Sequence, residues 1–490
     1  MLHDPRPNLA AVAKFEPWMD GTVTLLDAED HIVSIVPKEV FDWREAERYF
    51  KTVNIYKFSK EFSRRFYLPF LDAYIEAFGR SRYYEQVLTV ITYLSKTELQ
   101  AYRVTDEKWY EIDDPADLDI ARTLFAEGDE SLALYESRYG GYWRFPKIRD
   151  FCYLVNPYFP SARLFDELGA NLRQRVASYP SGRNVQNLLA AGLAGCDPAE
   201  VVAGNGASEL IGALMRELPG PFGLVLPGFE EYARVLRGRG EIVHFAPRSP
   251  DFACSVDELV AHAQRLGTLV LSNPDNPSGR FLEPKAVLEL LERLDTNGTH
   301  LVLDESFVEF AGAADECSLL RPDVLRRFPR LSIIKSISKS YGVPGLRLGI
   351  AASADRGLIE RIGSALPIWN INSLAESFLQ VVGKHKLEFV EACRRVAEDR
   401  RAMHGELSTL PFLRVIPSRA NFLLCEITSG CSARRIARLL LERGNILVKD
   451  CTGKPGLGHG QFVRLAVRSR AENQYLVGVL RALPSRDRKP

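Results

Sequence analysis

The chain lacks a net charge, and it lacks the cysteine patterns of disulfide-rich or zinc-binding proteins. Its 490 residues contain 63 lysines and arginines and 63 aspartates and glutamates, so the formal net charge is zero. This balance argues against nucleic acid or an anionic membrane as a partner. The eight cysteines are scattered without a C-x-x-C pair. We therefore expect no disulfide framework and no metal site, and a reducing, cytoplasmic setting.

Long apolar runs, internal repeats and low-complexity tracts are also missing. No apolar run approaches the ~20 residues of a transmembrane helix, and the first residues lack the charged-then-apolar pattern of a signal peptide. Hydrophobic residues make up 46% of the chain, which is enough for sizeable buried cores. The residue composition of the sequence changes between residues 130 and 150, and we place a domain boundary there. We predict three domains, at 1–135, 150–375 and 376–490.

What the chain does contain is a set of four strand-like runs that each end in a polar or aromatic residue. After residue 170 such strands alternate with helices, which predicts an α/β domain with a parallel sheet and crossover helices. From about residue 375 the pattern becomes α+β and predicts a small terminal domain. Ligands of open α/β sheets bind outside the carboxyl ends of the strands, so the four ends are expected to meet at one site. The runs cover residues 223–229, 268–279, 300–305 and 331–340.

The four strand ends deliver an aromatic ring, an amide, a carboxylate and an amine. This is the set that holds pyridoxal phosphate (PLP) and makes it an electron sink. We predict that Lys339 forms the internal aldimine with PLP and that Asp304 faces the pyridinium nitrogen, which keeps the ring protonated. Asn276 is expected to donate to the phenolic oxygen of the cofactor, and Phe229 to stack on its ring.

Two further groups of residues are predicted to hold the phosphate of the cofactor. Ser336 and Ser338 precede the lysine, and Arg347 follows it within one short segment. Hydroxyls and a guanidinium that converge on one point make a phosphate site. A glycine-containing turn at residues 204–210 also runs into a helix, whose first N–H groups are free to bind phosphate. The contributing residues there are Gly206, Ala207 and Ser208.

Through these residues the chain resembles the fold-type I PLP enzymes of the class I/II aminotransferase family, in the branch of histidinol-phosphate aminotransferase and threonine-phosphate decarboxylase. The resemblance extends from about residue 156 to the C-terminus. It implies a PLP-dependent transferase fold and a homodimer in which Tyr179 reaches the cofactor phosphate of the neighbouring subunit. It also implies that Arg464 binds the α-carboxylate of the substrate. Asn156 and Tyr158 would line the substrate entrance.

The chain departs from the family pattern at two positions. Phe307 stands where many aminotransferases carry a tyrosine that donates to the phenolic oxygen of PLP, and loss of that donor is expected to raise the aldimine pKa. Lys449 stands where the branch that binds phosphorylated substrates has an arginine. A lysine binds phosphate as a point charge and cannot form the two parallel bonds of a guanidinium. A phosphorylated substrate therefore stays an open alternative.

We predict an enzyme that acts on an α-amino acid through an external aldimine and a quinonoid intermediate. Transamination is the family default, with Lys339 moving the proton between Cα and the cofactor carbon. Decarboxylation of a phosphorylated amino acid is an alternative. So is elimination, replacement or C–C bond formation at Cβ or Cγ, for example on S-adenosylmethionine with a nucleotide co-substrate such as NAD. A non-catalytic protein that kept the fold is the alternative from a different class.

Residues 8–125 resemble the C-terminal half of a sugar-phosphate or choline-phosphate nucleotidyltransferase. In that family Asp113 would match a metal ligand. The glycine-rich loop and the first metal-binding aspartate of the family do not occur in this sequence, and without them neither phosphates nor a metal are held. We therefore predict a partial α/β lobe without nucleotidyl transfer, which serves as a scaffold or shapes a pocket for a nucleotide-bearing co-substrate, or belongs to a longer chain. The resemblance is carried by Lys14-Phe-Glu-Pro-Trp-Met-Asp-Gly21, Thr52-Val-Asn-Ile-Tyr-Lys-Phe58, Tyr83-Tyr-Glu85 and Trp109-Tyr-Glu-Ile-Asp113.

Overall fold

The computed structural model of the chain describes residues 1–79, 85–94, 99–105, 107–145 and 147–483. The internal contacts divide the chain into two compact units, Met1–Pro146 and Lys147–Pro490. Residues 83 and 84 of the Tyr83-Tyr-Glu85 motif lie outside the described residues. Within the described ranges, every helix is too short or too polar to cross a lipid bilayer.

The first unit is built on a five-stranded sheet with the strand order β3-β2-β4-β1-β5. Buried side chains of the sheet, among them Val12 and Ile32, pack against Leu88 and Ile91 of α3. Helix α4 begins at a capping box, because the Asp114 side chain accepts from the first N–H groups of the helix. The elements are β1 (Leu9–Lys14), β2 (Val23–Leu26), β3 (Ile32–Val36), β4 (Phe50–Lys57), α1 (Lys60–Phe62), α2 (Leu68–Phe78), α3 (Glu85–Leu94), β5 (Gln100–Arg103), α4 (Pro115–Phe125) and α5 (Gly128–Ser137).

The second unit contains a seven-stranded sheet, a four-stranded sheet and a two-stranded sheet with helices around them. Its strands are β6 (Arg149–Asp150), β7 (Val201–Asn205), β8 (Phe222–Val225), β9 (Ile242–Phe245), β10 (Thr268–Ser272), β11 (His300–Asp304), β12 (Leu331–Ser336), β13 (Leu348–Ala352), β14 (Leu413–Val415), β15 (Phe422–Ile427), β16 (Ile446–Leu447), β17 (Lys449–Asp450) and β18 (Phe462–Ala466).

The helices of the second unit follow in chain order. They are α6 (Ala162–Gly169), α7 (Leu172–Val176), α8 (Arg183–Ala194), α9 (Ala207–Glu217), α10 (Glu230–Leu236), α11 (Val256–Ala263), α12 (Pro284–Asn297), α13 (Ala314–Cys317), α14 (Pro322–Arg327), α15 (Ile337–Ser340), α16 (Arg356–Ala365), α17 (Ser373–Val381), α18 (Lys386–Ser408), α19 (Ala433–Gly444) and α20 (Arg470–Ala482).

The seven-stranded sheet has the order β7-β13-β12-β11-β10-β8-β9. The five strands from β12 to β9 pair in parallel, as the alternation of strands and helices predicts. Strand β13 differs from the predicted parallel sheet, because it runs antiparallel to both of its neighbours. The segment between β12 and β13 holds only the one-turn helix α15 and a short 3-10 turn. A parallel return needs a longer crossover, so the chain comes back antiparallel.

The central strands β11 and β12 are buried along their whole length. Strands that are covered on both faces consist mainly of apolar residues. Strand β11 ends in Asp304, and strand β12 ends in Ser336. Buried polar side chains lie near both ends of these strands: His300 and Ser332 hydrogen-bond each other at 2.9 Å near the starts, and Asp304 and Ser336 lie at the carboxyl ends. The four-stranded sheet, with the order β14-β15-β18-β17, forms the small C-terminal part and packs with α18 and α19, and α20 packs against these two helices. Strand β18 carries Arg464 toward the same strand ends.

The turn after α15 depends on a glycine, and this gives a test of the fold. Gly342 has φ +65°, and a Cβ there would lie 1.7 Å from the carbonyl oxygen of Phe159. We expect Gly342→Ala to lower the free energy of unfolding by about 2–5 kcal/mol, from steric overlap and a left-handed backbone. Gly345→Ala is the matched control, since a Cβ at Gly345 meets nothing within 4 Å. Urea unfolding of both variants measures the difference, and equal stabilities would contradict this geometry.

Candidate active site

A cavity of about 220 Å³ opens where β10, β11 and β12 end. The side chains predicted from separate strand ends lie around this one space, together with the start of α9 and with Arg464 from the small sheet. The lining residues are Tyr153, Leu154, Gly206, Ala207, Ser208, Phe229, Ser272, Pro274, Asn276, Asp304, Ser306, Phe307, Ser336, Ser338, Lys339, Arg347 and Arg464.

Asp304 lies at the end of β11 as a buried carboxylate, and none of the ion pairs between described residues includes it. Its Oδ1 accepts from the backbone N–H of Ser306 at 3.0 Å, and its Oδ2 accepts from the hydroxyl of Tyr232 at 3.0 Å. Burial raises the pKa of Asp304, and the hydrogen bonds from Ser306 and Tyr232 act in the opposite direction. A buried carboxylate with only neutral donors is stabilised by a cation placed beside it. The protonated ring nitrogen of PLP is such a cation.

A cradle for an anion lies at the start of α9. The first N–H groups of a helix have no partner within the helix, and its positive end favours a negative charge. Gly206 precedes the helix with φ +79°, and a Cβ there would lie 2.8 Å from Nη2 of Arg347. A glycine is therefore required for the Arg347 guanidinium to lie beside the helix start. The hydroxyls of Ser336 and Ser338 line the same cavity. This arrangement fits the phosphate of PLP.

Lys339 lies in α15, directly after β12, and its side chain reaches the cavity. Burial, together with the positive charges of Arg464 and Arg347, lowers the pKa of Lys339 to about 8. An amine with this pKa is about one-tenth neutral at pH 7 and about half neutral at pH 8. A neutral amine is the form that attacks an aldehyde carbon.

Arg464 is held at the cavity by two hydrogen bonds. Its Nη1 donates to Oδ1 of Asn276 at 2.5 Å, and its Nη2 donates to the carbonyl oxygen of Cys152 at 2.8 Å. Its Nε is buried and has no hydrogen-bond partner among the described residues. A positioned guanidinium with donors to spare suits a carboxylate. Because Oδ1 of Asn276 accepts from Arg464, the side chain of Asn276 has its Nδ2 group left to donate.

Two residues predicted at the substrate entrance are not among those that line the cavity. Tyr158 donates its hydroxyl to the carboxylate of Asp399, away from the cavity lining. Asn156 is buried, its backbone N–H donates to the Lys339 carbonyl at 3.0 Å, and its amide donates to the Ser340 carbonyl at 2.9 Å. Neither residue lines the cavity, and their role at the substrate entrance stays a prediction. Their polar groups are used within the protein, and Asn156 supports the turn that carries the lysine.

Two other predicted residues lie at the surface. Tyr179 is 79% exposed and stacks on Trp369, with 4.3 Å between the ring centroids. Lys449 is exposed on β17, where it pairs directly opposite Arg464 in the antiparallel register. The role of Tyr179 concerns a second subunit and that of Lys449 concerns the substrate, so both stay predictions.

Sequence reasoning missed several groups of the site. Tyr232 donates to Asp304 from α10, and its spacing of three residues from Phe229 was the available signal, because residues three apart share a helix face. The Ser306 N–H and the Cys152 carbonyl also contribute. Both are backbone groups, which residues of almost any type supply, so the sequence could not indicate them.

The comparison with known families shows which family the chain belongs to. Residues 167–480 match the family described as aminotransferase class I and II. The chain belongs to this family. It is an enzyme that uses PLP, and the cradle, the buried carboxylate and the lysine described above fit that cofactor. When bound, PLP supplies an electron sink for negative charge that develops at the substrate Cα.

Individual relatives cover different shares of the chain. The CMP-5'-(3-aminopropyl)phosphonate synthase of Streptomyces rubellomurinus is 35% identical over 483 residues, which are 97% of this chain and 75% of that protein. The L-serine phosphate decarboxylase of Sulfurospirillum multivorans is 30% identical over 348 residues, 68% of this chain and 88% of that protein. The histidinol-phosphate aminotransferase of Sinorhizobium meliloti, solved in complex with pyridoxal-5'-phosphate, has the same fold, with a TM-score of 0.61, 22% identity and coverage of 73% and 96%.

The lowered pKa of Lys339 predicts how the PLP-free protein captures its cofactor. The rate of PLP capture should rise with pH through a midpoint near 8, because the neutral amine reacts. Arg464→Gln removes a neighbouring positive charge, which should raise the pKa of Lys339 and move the midpoint to higher pH. Stopped-flow absorbance measures both curves.

Lys339→Ala is the control for this experiment, and it should give no borohydride-stable link to PLP. A stable link in that variant, or a capture rate independent of pH between 6 and 10, would contradict the assignment of Lys339.

Proposed function

We propose that this enzyme decarboxylates an α-amino acid whose side chain ends in a phosphate or phosphonate group. The observation that carries the proposal is the similarity, along 97% of the chain, to a synthase whose named product is CMP-5'-(3-aminopropyl)phosphonate. That product has a primary amine and no carboxylate. Transamination of an α-amino acid would give an oxo acid that keeps the carboxylate, whereas decarboxylation leaves an amine.

A second relative supports the same chemistry. The L-serine phosphate decarboxylase acts, by its name, on an amino acid that carries a phosphate. The amino acid that yields 3-aminopropylphosphonate by loss of CO₂ is 2-amino-4-phosphonobutyrate. We propose this type of compound as the substrate, either free or joined to a cytidylyl group through its phosphonate.

Lys449 and Arg464 are directly opposite each other on neighbouring strands of the small sheet. Arg464 on β18 lines the cavity, and Lys449 is its direct partner on β17, so both side chains lie on one face of the sheet. None of the ion pairs between described residues includes Lys449. In our proposal, Arg464 binds the carboxylate of the amino acid, and Lys449 binds the phosphonate as a point charge.

Lys339 is the residue that moves the proton. Loss of CO₂ leaves Cα one proton short, so the reaction needs an acid beside that carbon. Lys339 reaches the cavity with a pKa of about 8, which is close to the pH at which it would work. The same amine that carries the cofactor is thus suited to deliver a proton to Cα.

We propose that the first unit is a nucleotidyltransferase-like lobe without transferase activity that recognises a nucleotide-bearing substrate. The similarity to the CMP-linked synthase covers nearly the whole chain and so includes this unit. Its motif residues come together locally: the side-chain amide of Asn54 donates to Oε1 of Glu111 at 3.1 Å, and Trp18 stacks on Tyr110. Asp113 is exposed, and its backbone N–H donates to the side chain of Asp117. Comparison of kcat/KM for the free and the cytidylyl-linked amino acid tests the proposal.

We also propose that the enzyme is a homodimer in which Tyr179 reaches the cofactor phosphate of the partner. Several large apolar side chains are exposed on the second unit, among them Val176, Leu188 and Ile368. Exposed apolar surface of this kind favours association. Sedimentation equilibrium should give twice the 55.1 kDa mass of one chain, and a monomer at micromolar concentration would contradict the proposal.

The reaction is tested by its products. The holoenzyme is incubated with 2-amino-4-phosphonobutyrate, or with its cytidylyl ester, and the products are analysed by mass spectrometry. We expect the corresponding amine and one equivalent of CO₂, with PLP returned unchanged. An oxo acid together with pyridoxamine phosphate would show transamination and would overturn the proposal.

Substitution of Lys449 tests how the phosphonate group of the substrate is bound. Lys449→Ala should raise KM for the phosphonate substrate by about 10- to 100-fold, because a hydrogen-bonded charge pair is lost. Lys449→Arg should keep KM close to that of the unmodified enzyme. The control substrate is L-2-aminobutyrate, which has no phosphonate, so its steady-state kinetics should be the same in all three proteins. An equal rise in KM for both substrates in Lys449→Ala would show that Lys449 does not bind the phosphonate.

A further inference from the structure

Tyr232 is a buried tyrosine whose hydroxyl meets the carboxylate of the active site. It lies on α10 with 2% of its surface exposed, and its hydroxyl donates to Oδ2 of Asp304 at 3.0 Å. Its ring also lies edge-on to Phe229, with 6.4 Å between the centroids. One side chain thus contacts both the acid and the aromatic ring that line the cavity.

The donors around Asp304 are neutral, and this has a chemical consequence. The backbone N–H of Ser306 donates to Oδ1, and the Tyr232 hydroxyl donates to Oδ2. Hydrogen bonds to the ionised form favour that form. A lysine or arginine in place of Tyr232 would also favour the ionised form of Asp304. The positive charge of that side chain, however, would compete with the cofactor for the carboxylate. A neutral donor keeps Asp304 ionised and leaves its negative charge available to the ring nitrogen of PLP.

Other charged groups near Asp304 do not replace this donor. The charge of Asp275 raises the pKa of Asp304 and so opposes its ionisation. Lys339 also faces Asp304, and this carboxylate favours the protonated amine. The lysine nitrogen is the group that links to PLP, however, so its charge is not a fixed partner of the aspartate.

The ring of Tyr232 has a separate, structural role. It packs in the main apolar cluster of the large sheet with residues such as Leu214, Leu224 and Leu236. A purely apolar contact would be served by phenylalanine. The buried hydroxyl carries a desolvation cost, which its bond to Asp304 offsets. Replacement by phenylalanine keeps the ring and removes only the hydroxyl, so it separates the two roles.

We propose that Tyr232 is a positioning residue of this active site, whose hydroxyl holds Asp304 ionised and oriented and thereby keeps the ring nitrogen of bound PLP protonated. The inference rests on the cofactor and not on the reaction. It holds whether the enzyme decarboxylates or transaminates its substrate.

The test reads the protonation of the cofactor directly. The protein is reconstituted with PLP that carries ¹⁵N in the ring, and the ¹⁵N chemical shift is followed against pH. In Tyr232→Phe the midpoint of ring-nitrogen titration should fall by about 1–2 units, the change expected when a hydrogen bond to a charged group is lost. Tyr341→Phe is the matched control. Tyr341 is also buried and stacks on Phe389, and it makes no hydrogen bond to Asp304.

A double-mutant cycle shows whether Tyr232 acts through Asp304. In the Asp304→Asn background the ring nitrogen has already lost its carboxylate, so adding Tyr232→Phe should shift the midpoint no further. An unchanged midpoint in Tyr232→Phe alone would overturn the proposal. So would an equal shift in the Asp304→Asn background, or the same shift in Tyr341→Phe.

Discussion

The structure depends on one buried negative charge. Asp304 ends a strand that is buried along its whole length, and none of the ion pairs between described residues neutralises it. Keeping a carboxylate ionised in such surroundings is unfavourable unless donors and a cation surround it. Ser306 and Tyr232 supply the donors, and the protonated ring nitrogen of bound PLP would supply the cation. The same requirement explains why the site lies at the end of the central strands.

Close approach of the backbone is the second constraint, and it shapes the cradle that fits the phosphate of PLP. A Cβ at Gly206 would meet Arg347, and a Cβ at Gly349 would lie 2.6 Å from the backbone nitrogen of Ala207. Glycines therefore let the antiparallel strand β13 lie against the start of α9. The guanidinium, the helix N–H groups and the hydroxyls before the lysine then share one small space, which suits an anion with several acceptor oxygens.

Much of this site could be predicted because its residues follow directly from strand ends. Asn276, Asp304 and Lys339 come at or just after the ends of three adjacent parallel strands, so local pattern alone brings them together. Contacts between residues that are distant in sequence could not be predicted in this way. Tyr158 pairs with Asp399 on α18, and no local pattern shows that contact. The antiparallel course of β13 depends on the length of its connection, which requires the ends of both strands to be known.

The most direct test of this account is the substitution Asp304→Asn, which keeps the shape of the side chain and removes its charge. The account predicts that PLP remains linked to Lys339, as shown by borohydride reduction, because the phosphate cradle and the lysine are unchanged. In the decarboxylation that we propose, the rate of CO₂ release from 2-amino-4-phosphonobutyrate should fall by a factor on the order of 10²–10³ or more, since the charge stabilises the transition state. A rate of CO₂ release in Asp304→Asn close to that of the unmodified enzyme would contradict the account.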